Sequence, residues 1–383
     1  MRYSVRTILR DSLRAEIPLP SLGRTNMKEN ITVAVAMSGG VDSSVCAHLV
    51  KEQGYKLFGA TMKLYSPKTD EHTDRPCGTD KDVIDAKSTC DRVGIKHHVY
   101  DFSGCFKKYV IDNFTSTYIE GGTPNPCIEC NRHLKFGRLL DAAKENGADM
   151  IATGHYARIV RGDNGRYLLM RAKDSNKDQS YVLWSLTQDV LSRTLLPLGE
   201  YTKDEIRAIA REQGFVNANK GDSQDICFVP DGDYASFIQR ETGYTSTIGN
   251  YLDIDGNIVG KHKGVIHYTI GQRKGLGISM GRHIFVCDKN PKDNTVTLAD
   301  EEYIFKKEVR IKEINLISVE KIEGDMRLCA KLRYRQAPAP CIARQVSDDE
   351  IVLIFDTPQR APAKGQSAVL YDGDIVVGGG IIQ

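Results

Sequence analysis

A short β-branched run, Ile31–Met37 (ITVAVAM), passes straight into Ser38-Gly39-Gly40-Val41-Asp42-Ser43-Ser44, and a helical pattern follows over Val45–Gln53. This one junction constrains the fold more than any other stretch. A buried strand that ends on glycines and feeds a helix lets the backbone approach an anion, with the helix's open N–H groups and positive dipole end behind it. Ser38, Ser43 and Ser44 add hydroxyl donors. Asp42 is unexpected in an anion site, and it is accounted for if it caps the helix or meets a magnesium ion carried by a nucleotide. The spacing is neither G-x-x-x-x-G-K-S/T nor G-x-G-x-x-G, so phosphoryl-transfer and dinucleotide-binding loops are both excluded.

The pattern continues as strands alternating with helices. Strands are expected at Lys56–Leu64, Lys96–Phe102 and Asp149–Thr153, and helices at Lys81–Val93, Phe106–Ile119 and Leu134–Asn146. Such alternation implies a mainly parallel sheet with helices on both faces, and ligands then sit beyond the C-terminal strand ends. The Ser38 loop and the Gly154-His155 turn both follow strands, so both are expected to face one crevice. From about Thr202 the pattern changes. Helices are read at Lys203–Gln213 and Tyr234–Thr242. Beyond Gly249 only short runs remain, at Val265–Ile270, His283–Cys287, Thr295–Leu298, Leu328–Tyr334, Ile351–Phe355 and Ala368–Leu370. That is an all-β signature, best closed as a small barrel. The fold expected is therefore an α/β parallel-sheet domain over 27–200, a small central α+β domain over 201–265 and a C-terminal β-barrel over 266–383. Residues 1–26 carry Arg2, Arg6, Arg10, Arg14 and Arg24 against Asp11 and Glu16. They faintly resemble an organelle transit peptide, but are read as a flexible extension ahead of Met27.

The formal net charge is only +2 over 383 residues, so a nucleic-acid partner must be held by local basic patches. No run reaches the ~20 apolar residues of a membrane helix. The ten cysteines lack the spacing of a secreted disulfide framework, which points to a reducing, cytoplasmic setting. A monomer is expected, since no apolar stripe is exposed.

Three cysteines stand out. Cys127 and Cys130 form C-x-x-C in Thr123–Asn131 (TPNPCIECN), where two prolines imply an extended, exposed loop, and Cys227 lies in Asp222–Phe228 (DSQDICF). Exposed thiols beside Arg132 and Lys135 react as thiolates when their pKa falls below the usual value of about 8.5. The alternative for C-x-x-C is a zinc knuckle, which needs a second ligand pair; no second C-x-x-C exists, and His133 is the nearest histidine. Cys46 and Cys90 fall within helix patterns and read as packing.

The strand–SGGVDSS–helix unit resembles the PP-loop of the ATP pyrophosphatase superfamily, whose members release pyrophosphate and leave AMP on a substrate oxygen. Together with TPNPCIECN, ATGHY, DSNKDQSY, DSQDICF, HYTIGQRKGLGI, RYRQ, GQSAV and GGGII in that order, it makes the chain resemble the bacterial tRNA-specific 2-thiouridylase family from about Ile31 to the end. The resemblance implies ATP, with Mg2+, on Ala36, Met37, Ser38, Gly39, Gly40, Val41, Asp42 and Ser43, with Met62 and Gly154 on the adenine side. It implies a flipped wobble uridine of the tRNA anticodon stem-loop against Asn125, Pro126 and Cys127. It also implies tRNA contacts at His155, Lys177, Asp178, Gln179, Arg333, Tyr334 and Gln366. Cys227 resembles the cysteine that carries a persulfide from a sulfur-relay or cysteine desulfurase donor protein, and Cys130 the nucleophile that resolves it as a disulfide. Independently of the resemblance, Arg333, Arg335 and Arg344 form a basic cluster around Tyr334, and Lys263, Arg273 and Lys274 flank a glycine-rich loop suited to RNA.

Better-known family members carry aspartate where this chain has Cys127. A thiol replaces a carboxylate poorly as acid or base. Three thiols, Cys127, Cys130 and Cys227, are also the number that holds a [4Fe-4S] cluster with one iron open to sulfide. Persulfide and cluster chemistry are both left open at this level. So are two further functions: an amide-forming synthetase, which would leave the cysteines idle, and a non-enzymatic RNA-binding protein with a degenerate nucleotide site.

Overall fold

The computed structural model describes residues 28–65, 78–218 and 226–383. The expected extension 1–26, Cys77 and the Asp222–Asp225 half of DSQDICF lie outside them. The chain divides into two compact units. One holds the residues up to Tyr109, Cys127–Pro230 and Asp374–Val376; the other holds Val110–Pro126, Asp231–Gly373 and Val377–Gln383.

The first unit is built on a parallel sheet of β1 (Thr32–Ala36), β2 (Lys56–Lys63), β3 (His97–Asp101), β4 (Met150–Ala152) and a two-residue strand, Thr194–Leu195. Its spatial order is β3-β2-β1-β4-(194–195). β1 lies in the middle, and its TVAVA run is buried at three successive positions because helices cover both faces. The order reverses between β1 and β4, which pair in parallel with Val33 opposite Met150 and Val35 opposite Ala152. A crevice therefore opens beyond their C-terminal ends. Val33, Val35, Val45, Leu49, Ile206 and Ile209 form the core with the flanking helices. Helix Asp80–Val93 begins with a Thr79–Asp82 capping box and stops at left-handed Gly94; Lys203–Glu212 begins with a Thr202–Glu205 box.

Two helical expectations need correction. The helix after the glycines starts at Val41 rather than Val45, so Asp42, Ser43 and Ser44 sit in its first turn. The C-x-x-C is helical rather than an extended loop: Pro126–Glu129 is α-helical, Cys130–Arg138 is a π-helix and Leu139–Glu145 is α-helical again. Pro126 is tolerated because proline fits the first turn, where its missing N–H would have no helical partner.

The second unit contains helix Tyr234–Thr242, whose Phe237 packs edge-on to Phe114. It also carries a four-stranded sheet and a barrel. The sheet joins Gly249–Leu252, Ile258–His262, Phe285–Asn290 and Thr295–Ala299, and so lies on both sides of residue 266. The expected strand Val265–Ile270 is instead a buried 3-10 turn, Val265–His267, which follows Gly264 at φ 115°. The barrel has six strands: Phe305–Leu316, Asp325–Lys331, Ala339–Ser347, Glu350–Arg360, Ser367–Asp372 and Ile375–Ile382. Closure is made by the first and last, with Ile311 opposite Ile382 and Leu316 opposite Gly378. A bulge between Lys312 and Asn315, with Glu313 at φ 50°, bends the first strand from one partner to the other. Gly378 is required there, because an added Cβ would lie 2.3 Å from the Asn315 carbonyl oxygen. Inside, Val309, Ile311, Leu328, Leu353, Phe355 and Leu370 fill the barrel.

Candidate active site

The phosphate loop is bare by construction. Gly40 is the N-cap of helix Val41–Glu52 and no side chain caps it. Asp42 therefore does not cap the helix. The Ser38 N–H donates to Ser43 Oγ at 3.2 Å, and Ser43 and Ser44 Oγ both donate to the Gly40 carbonyl. Gly39 has φ 68°, and a Cβ there would lie 2.6 Å from the Asp82 carbonyl oxygen. Glycine is needed both for the turn and for the approach of the neighbouring helix. Gly154 is equally close: its Cβ would lie 2.8 Å from the Asp42 carbonyl carbon and 3.0 Å from Ser43 N. The two turns expected to share a crevice do meet. Met37 is buried, Ala36 and Met62 are half-buried, and Ser38 is exposed at the rim.

Asp42 finds its partners elsewhere in the unit. Lys203 Nζ lies 2.8 Å from both carboxylate oxygens, and Tyr156 Oη donates to one at 2.7 Å. Lys203 is 7% exposed and Asp42 32%. The carboxylate's charge is thus balanced inside the anion site, which resolves its oddity. Asn217 Nδ2 donates to the Gly39 carbonyl at 3.2 Å and to Ser44 Oγ at 2.8 Å. The sequence reading missed Lys203, Tyr156 and Asn217. Tyr156 sits in the ATGHY motif, but nothing local marks Lys203 or Asn217, which reach the loop from more than 160 residues away.

Segment 174–184 holds both halves of this site. Asp174 accepts the Lys203 N–H at 3.0 Å. Gln179 exchanges hydrogen bonds with the Tyr156 backbone, through its own N–H and through Oε1. Buried Asp178 accepts from Ala172 N, Ser180 N and Ser180 Oγ. The Val182 carbonyl accepts from Asn131 Nδ2 at 2.9 Å, and the Arg132 guanidinium lies over the Trp184 ring at 5.4 Å. The side chains of Asp178 and Gln179 are therefore engaged in holding the fold, while Lys177 is half-buried.

Cys127 is exposed, and Cys130 and Cys227 are half-buried. Phe228, next to Cys227, and the C-x-x-C helix meet a common element. Helix Ser103–Phe106 contacts the Cys130–Arg138 π-helix, and its Phe106 packs edge-on to Phe228, next to Cys227, at 5.6 Å. π-Helical turns are frequent at functional positions. By contrast Cys46, Cys90 and Cys341 are fully buried. Burial pushes the Cys46 thiol far up, and raises Cys90 and Cys341 to about 12. They are packing residues, as expected for Cys46 and Cys90. Among the described residues no three His, Cys, Asp or Glu side chains are grouped to hold a metal ion. Cys127, Cys130 and Cys227 thus do not form a zinc ligand set as arranged here.

His155 is 8% exposed, with Nδ1 2.7 Å from Thr153 Oγ1 and Nε2 3.5 Å from Lys135 Nζ. Burial first, then Lys135, lowers its pKa well below 6.5. It is a neutral imidazole at physiological pH. A lysine ammonium only donates, so this contact assigns the proton to Nδ1.

In the second unit Tyr334 and Arg335 are exposed, and Arg333 Nη2 donates to the Ala361 carbonyl at 2.7 Å. Arg344 is removed from the expected basic cluster, because it forms a two-pronged pair with Asp325 at 2.7 and 2.8 Å. Arg273, Arg282 and His283 line an open depression in the glycine-rich loop. Gln366 donates to the Thr123 and Pro124 carbonyls, immediately before Asn125 and Pro126. No helix among the described residues is long and apolar enough to cross a membrane.

Comparison with known proteins agrees with this architecture. Three family models match in series: the tRNA methyl transferase HUP domain over 31–231, the tRNA methyl transferase PRC-barrel domain over 235–300 and the aminomethyltransferase β-barrel domain over 306–382. The tRNA-specific 2-thiouridylase MnmA of Clostridioides difficile is 49% identical over 355 residues, spanning 92% of this chain and 98% of that one. Its Clostridium botulinum (strain Alaska E43) counterpart is 49% identical over 352 residues, spanning 92% and 97%. That of Acetivibrio thermocellus is 48% identical, spanning 92% and 99%. Among solved structures, U34-tRNA thiolase NcsA from Methanococcus maripaludis, with its [4Fe-4S] cluster, aligns at TM-score 0.35 and 21% identity over 62% of this chain and 74% of that one, a likeness too slight to inform the site.

Proposed function

The chain belongs to the tRNA-specific 2-thiouridylase family, and we propose that it replaces the C2 oxygen of a tRNA wobble uridine by sulfur at the expense of ATP. Two of the matching domain descriptions carry the words methyl transferase, whereas the full-length relatives are thiouridylases. The full-length match governs, because it spans catalytic unit and barrel together.

ATP lies along the bare N-terminus of helix Val41–Glu52, with Mg2+ as its counter-ion. The uracil O2 attacks the α-phosphate and pyrophosphate leaves, so the oxygen becomes part of an AMP leaving group. The base must be flipped out of the stack to present that atom. It meets Asn125, Pro126 and Cys127, while Arg333 and Tyr334 face the RNA from the barrel. The terminal sulfur of a Cys227 persulfide then attacks C2 and AMP departs with the oxygen. Cys130 attacks Sγ of Cys227, the S–S bond to the transferred sulfur breaks and a Cys130–Cys227 disulfide forms. If Cys130 attacks first, the same bonds exchange and sulfide is the attacking species. A dithiol reductant supplies the two electrons that reset the pair. A cysteine desulfurase or relay protein loads Cys227, and the setting is cytoplasmic.

The observation that carries the reading is one unit holding both an uncapped phosphate-binding helix and two cysteine segments that meet helix Ser103–Phe106. Persulfide chemistry is preferred over a [4Fe-4S] cluster because Cys130 and Cys227 alone complete its cycle. Cys127→Asp discriminates: thiolation persists under the persulfide cycle and is lost under cluster chemistry. The overall test is thiolation of a wobble-uridine stem-loop by reduced protein with ATP and sulfide, read by mass spectrometry with AMP and pyrophosphate release. ATP turnover without RNA thiolation would overturn the proposal.

A further inference from the structure

We infer that Asn131 is a positioning residue that aims the Cys130 thiol, by tying the first turn of the C-x-x-C π-helix to the buried turn at Val182. The inference rests on the thiolation reading above, in which Cys130 attacks Sγ of Cys227, and it names what holds the attacking thiol in place.

The two thiol segments have different anchors. Phe228, next to Cys227, is 4% exposed and packs on Phe106. Cys130 opens the π-helix Cys130–Arg138, at whose end the Leu139 N–H reaches back five residues to the Leu134 carbonyl. That helical form is rare, and what packs against it holds its register. Asn131 supplies such a hold. It is 1% exposed, and its Nδ2 donates to the Val182 carbonyl at 2.9 Å across 51 residues of chain. A carbonyl only accepts, so the amide nitrogen is the atom that faces it. Val182 lies in the 3-10 turn Ser180–Leu183, where Tyr181, Leu183 and the following Trp184 are fully buried. The acceptor is therefore set in packed interior. The Arg132 guanidinium, over the Trp184 ring at 5.4 Å, is a second tie to the same turn. Adjacent residues on a helix point about 100° apart, so fixing the direction of Asn131 fixes that of Cys130.

Stability alone does not account for asparagine here. Its Oδ1 is buried with no hydrogen-bond partner among the described residues. A buried acceptor left unpaired is unfavourable. Leucine has nearly the same shape and removes that acceptor, while leaving the Val182 carbonyl without the Asn131 donor. One unpaired acceptor is exchanged for another, so the fold gains little from the amide. What the amide adds is a directed bond one residue from the nucleophile, and an apolar side chain cannot supply direction.

The test compares wild type with Asn131→Leu in closure of the Cys130–Cys227 disulfide. One equivalent of dithiobis(nitrobenzoate) converts Cys227 into a mixed disulfide. The Cys130 thiolate attacks Sγ of Cys227, nitrothiobenzoate leaves and the internal disulfide forms. The leaving thiolate is read by absorbance and the linked peptides by mass spectrometry. Aiming predicts closure slowed at least tenfold in the variant. Iodoacetamide alkylation of Cys130 in reduced protein and AMP formation on RNA should each stay within about twofold of wild type, with an unchanged melting temperature. Equal closure rates overturn the inference. Slower closure with alkylation slowed by the same factor overturns it too, since the effect then lies in exposure of the thiol and not in its aim. If Asn131→Leu lowers the melting temperature, Asn131→Ser, which adds no apolar bulk, decides on the same readouts. Closure is read without ATP or RNA, so a wild type that closes the disulfide but fails to thiolate RNA sinks the functional proposal while the comparison still judges Asn131.

Discussion

The phosphate loop and the target-base segment solve the same problem in opposite ways. In the proposed function both are short turns beside glycines that present backbone to a ligand. The phosphate loop is set on a central strand, closed by its own serines and backed by an ion pair, Asp42–Lys203, that is largely out of solvent. The target-base segment has no strand beneath it and is held by neutral hydrogen bonds to one barrel loop. An anion site needs a fixed field, which buried charge and helix dipole supply without moving. The proposed function asks the second segment to receive a flipped base. The two supports are expected to fail differently when they are cut.

The largest effect falls on neither support but on the chemistry they serve. Cys227→Ser should lower thiolation about a thousandfold or more while ATP-dependent AMP formation on RNA continues, read by thin-layer separation of labelled nucleotides. Loss of both activities together would place Cys227 in ATP binding instead. Next comes the ion pair. Lys203→Met leaves the Asp42 carboxylate uncompensated and should cost about 2 kcal/mol in urea unfolding, discounted because Asp42 is one-third exposed. Adding Asp42→Asn should recover part of that stability but not ATP affinity. If the double variant is no better than the single, the pair is not the stabilising unit.

A smaller effect concerns His155. Its folded-state pKa is depressed by burial, so the unfolded chain binds the proton more readily. Stability is then fully present above the unfolded value of about 6.5 and falls as pH drops below it, by at most about 1.4 kcal/mol per pH unit for one histidine. Burial lowers His48, His97, His262 and His267 in the same direction. Urea midpoints at pH 7.5, 6.5 and 5.5 should decline, and His155→Gln should flatten the decline; a rise towards acid pH would contradict the burial argument. The smallest effect is at Arg344. Because Asp325 takes its charge at an exposed position, Arg344→Gln should leave both RNA Kd and melting temperature unchanged. A weaker Kd would return it to the RNA-facing cluster.

Much of this was legible in the chain. The strand, the glycines and the helix are contiguous, so the phosphate loop and the parallel sheet follow from local pattern. Tyr234–Thr242 was read to the residue because its Asp233 cap and left-handed Gly243 stop are local signals. The C-x-x-C helix was not, since proline weighs towards loop in a linear reading and the π-turn depends on what packs against it. There Asn131 reaches Val182 and Arg132 reaches Trp184, some 51 and 52 residues on. Val265–Ile270 failed for a related reason: Ile266–Ile270 alternates apolar and polar residues as a strand does, but the chain leaves Gly264 at φ 115° in a 3-10 turn.

What the sequence determined by itself is the chemistry available: an anion-binding helix start without a Walker lysine, and thiols at Cys127, Cys130 and Cys227. Tertiary structure decided which groups act together. It supplied Lys203 to Asp42, engaged Asp178 and Gln179 within the fold, and turned Gln366 towards Thr123 and Pro124. The reason is distance along the chain. Backbone preference and capping act over a few residues, whereas these partners lie tens to hundreds of residues apart and meet only when sheet and barrel close.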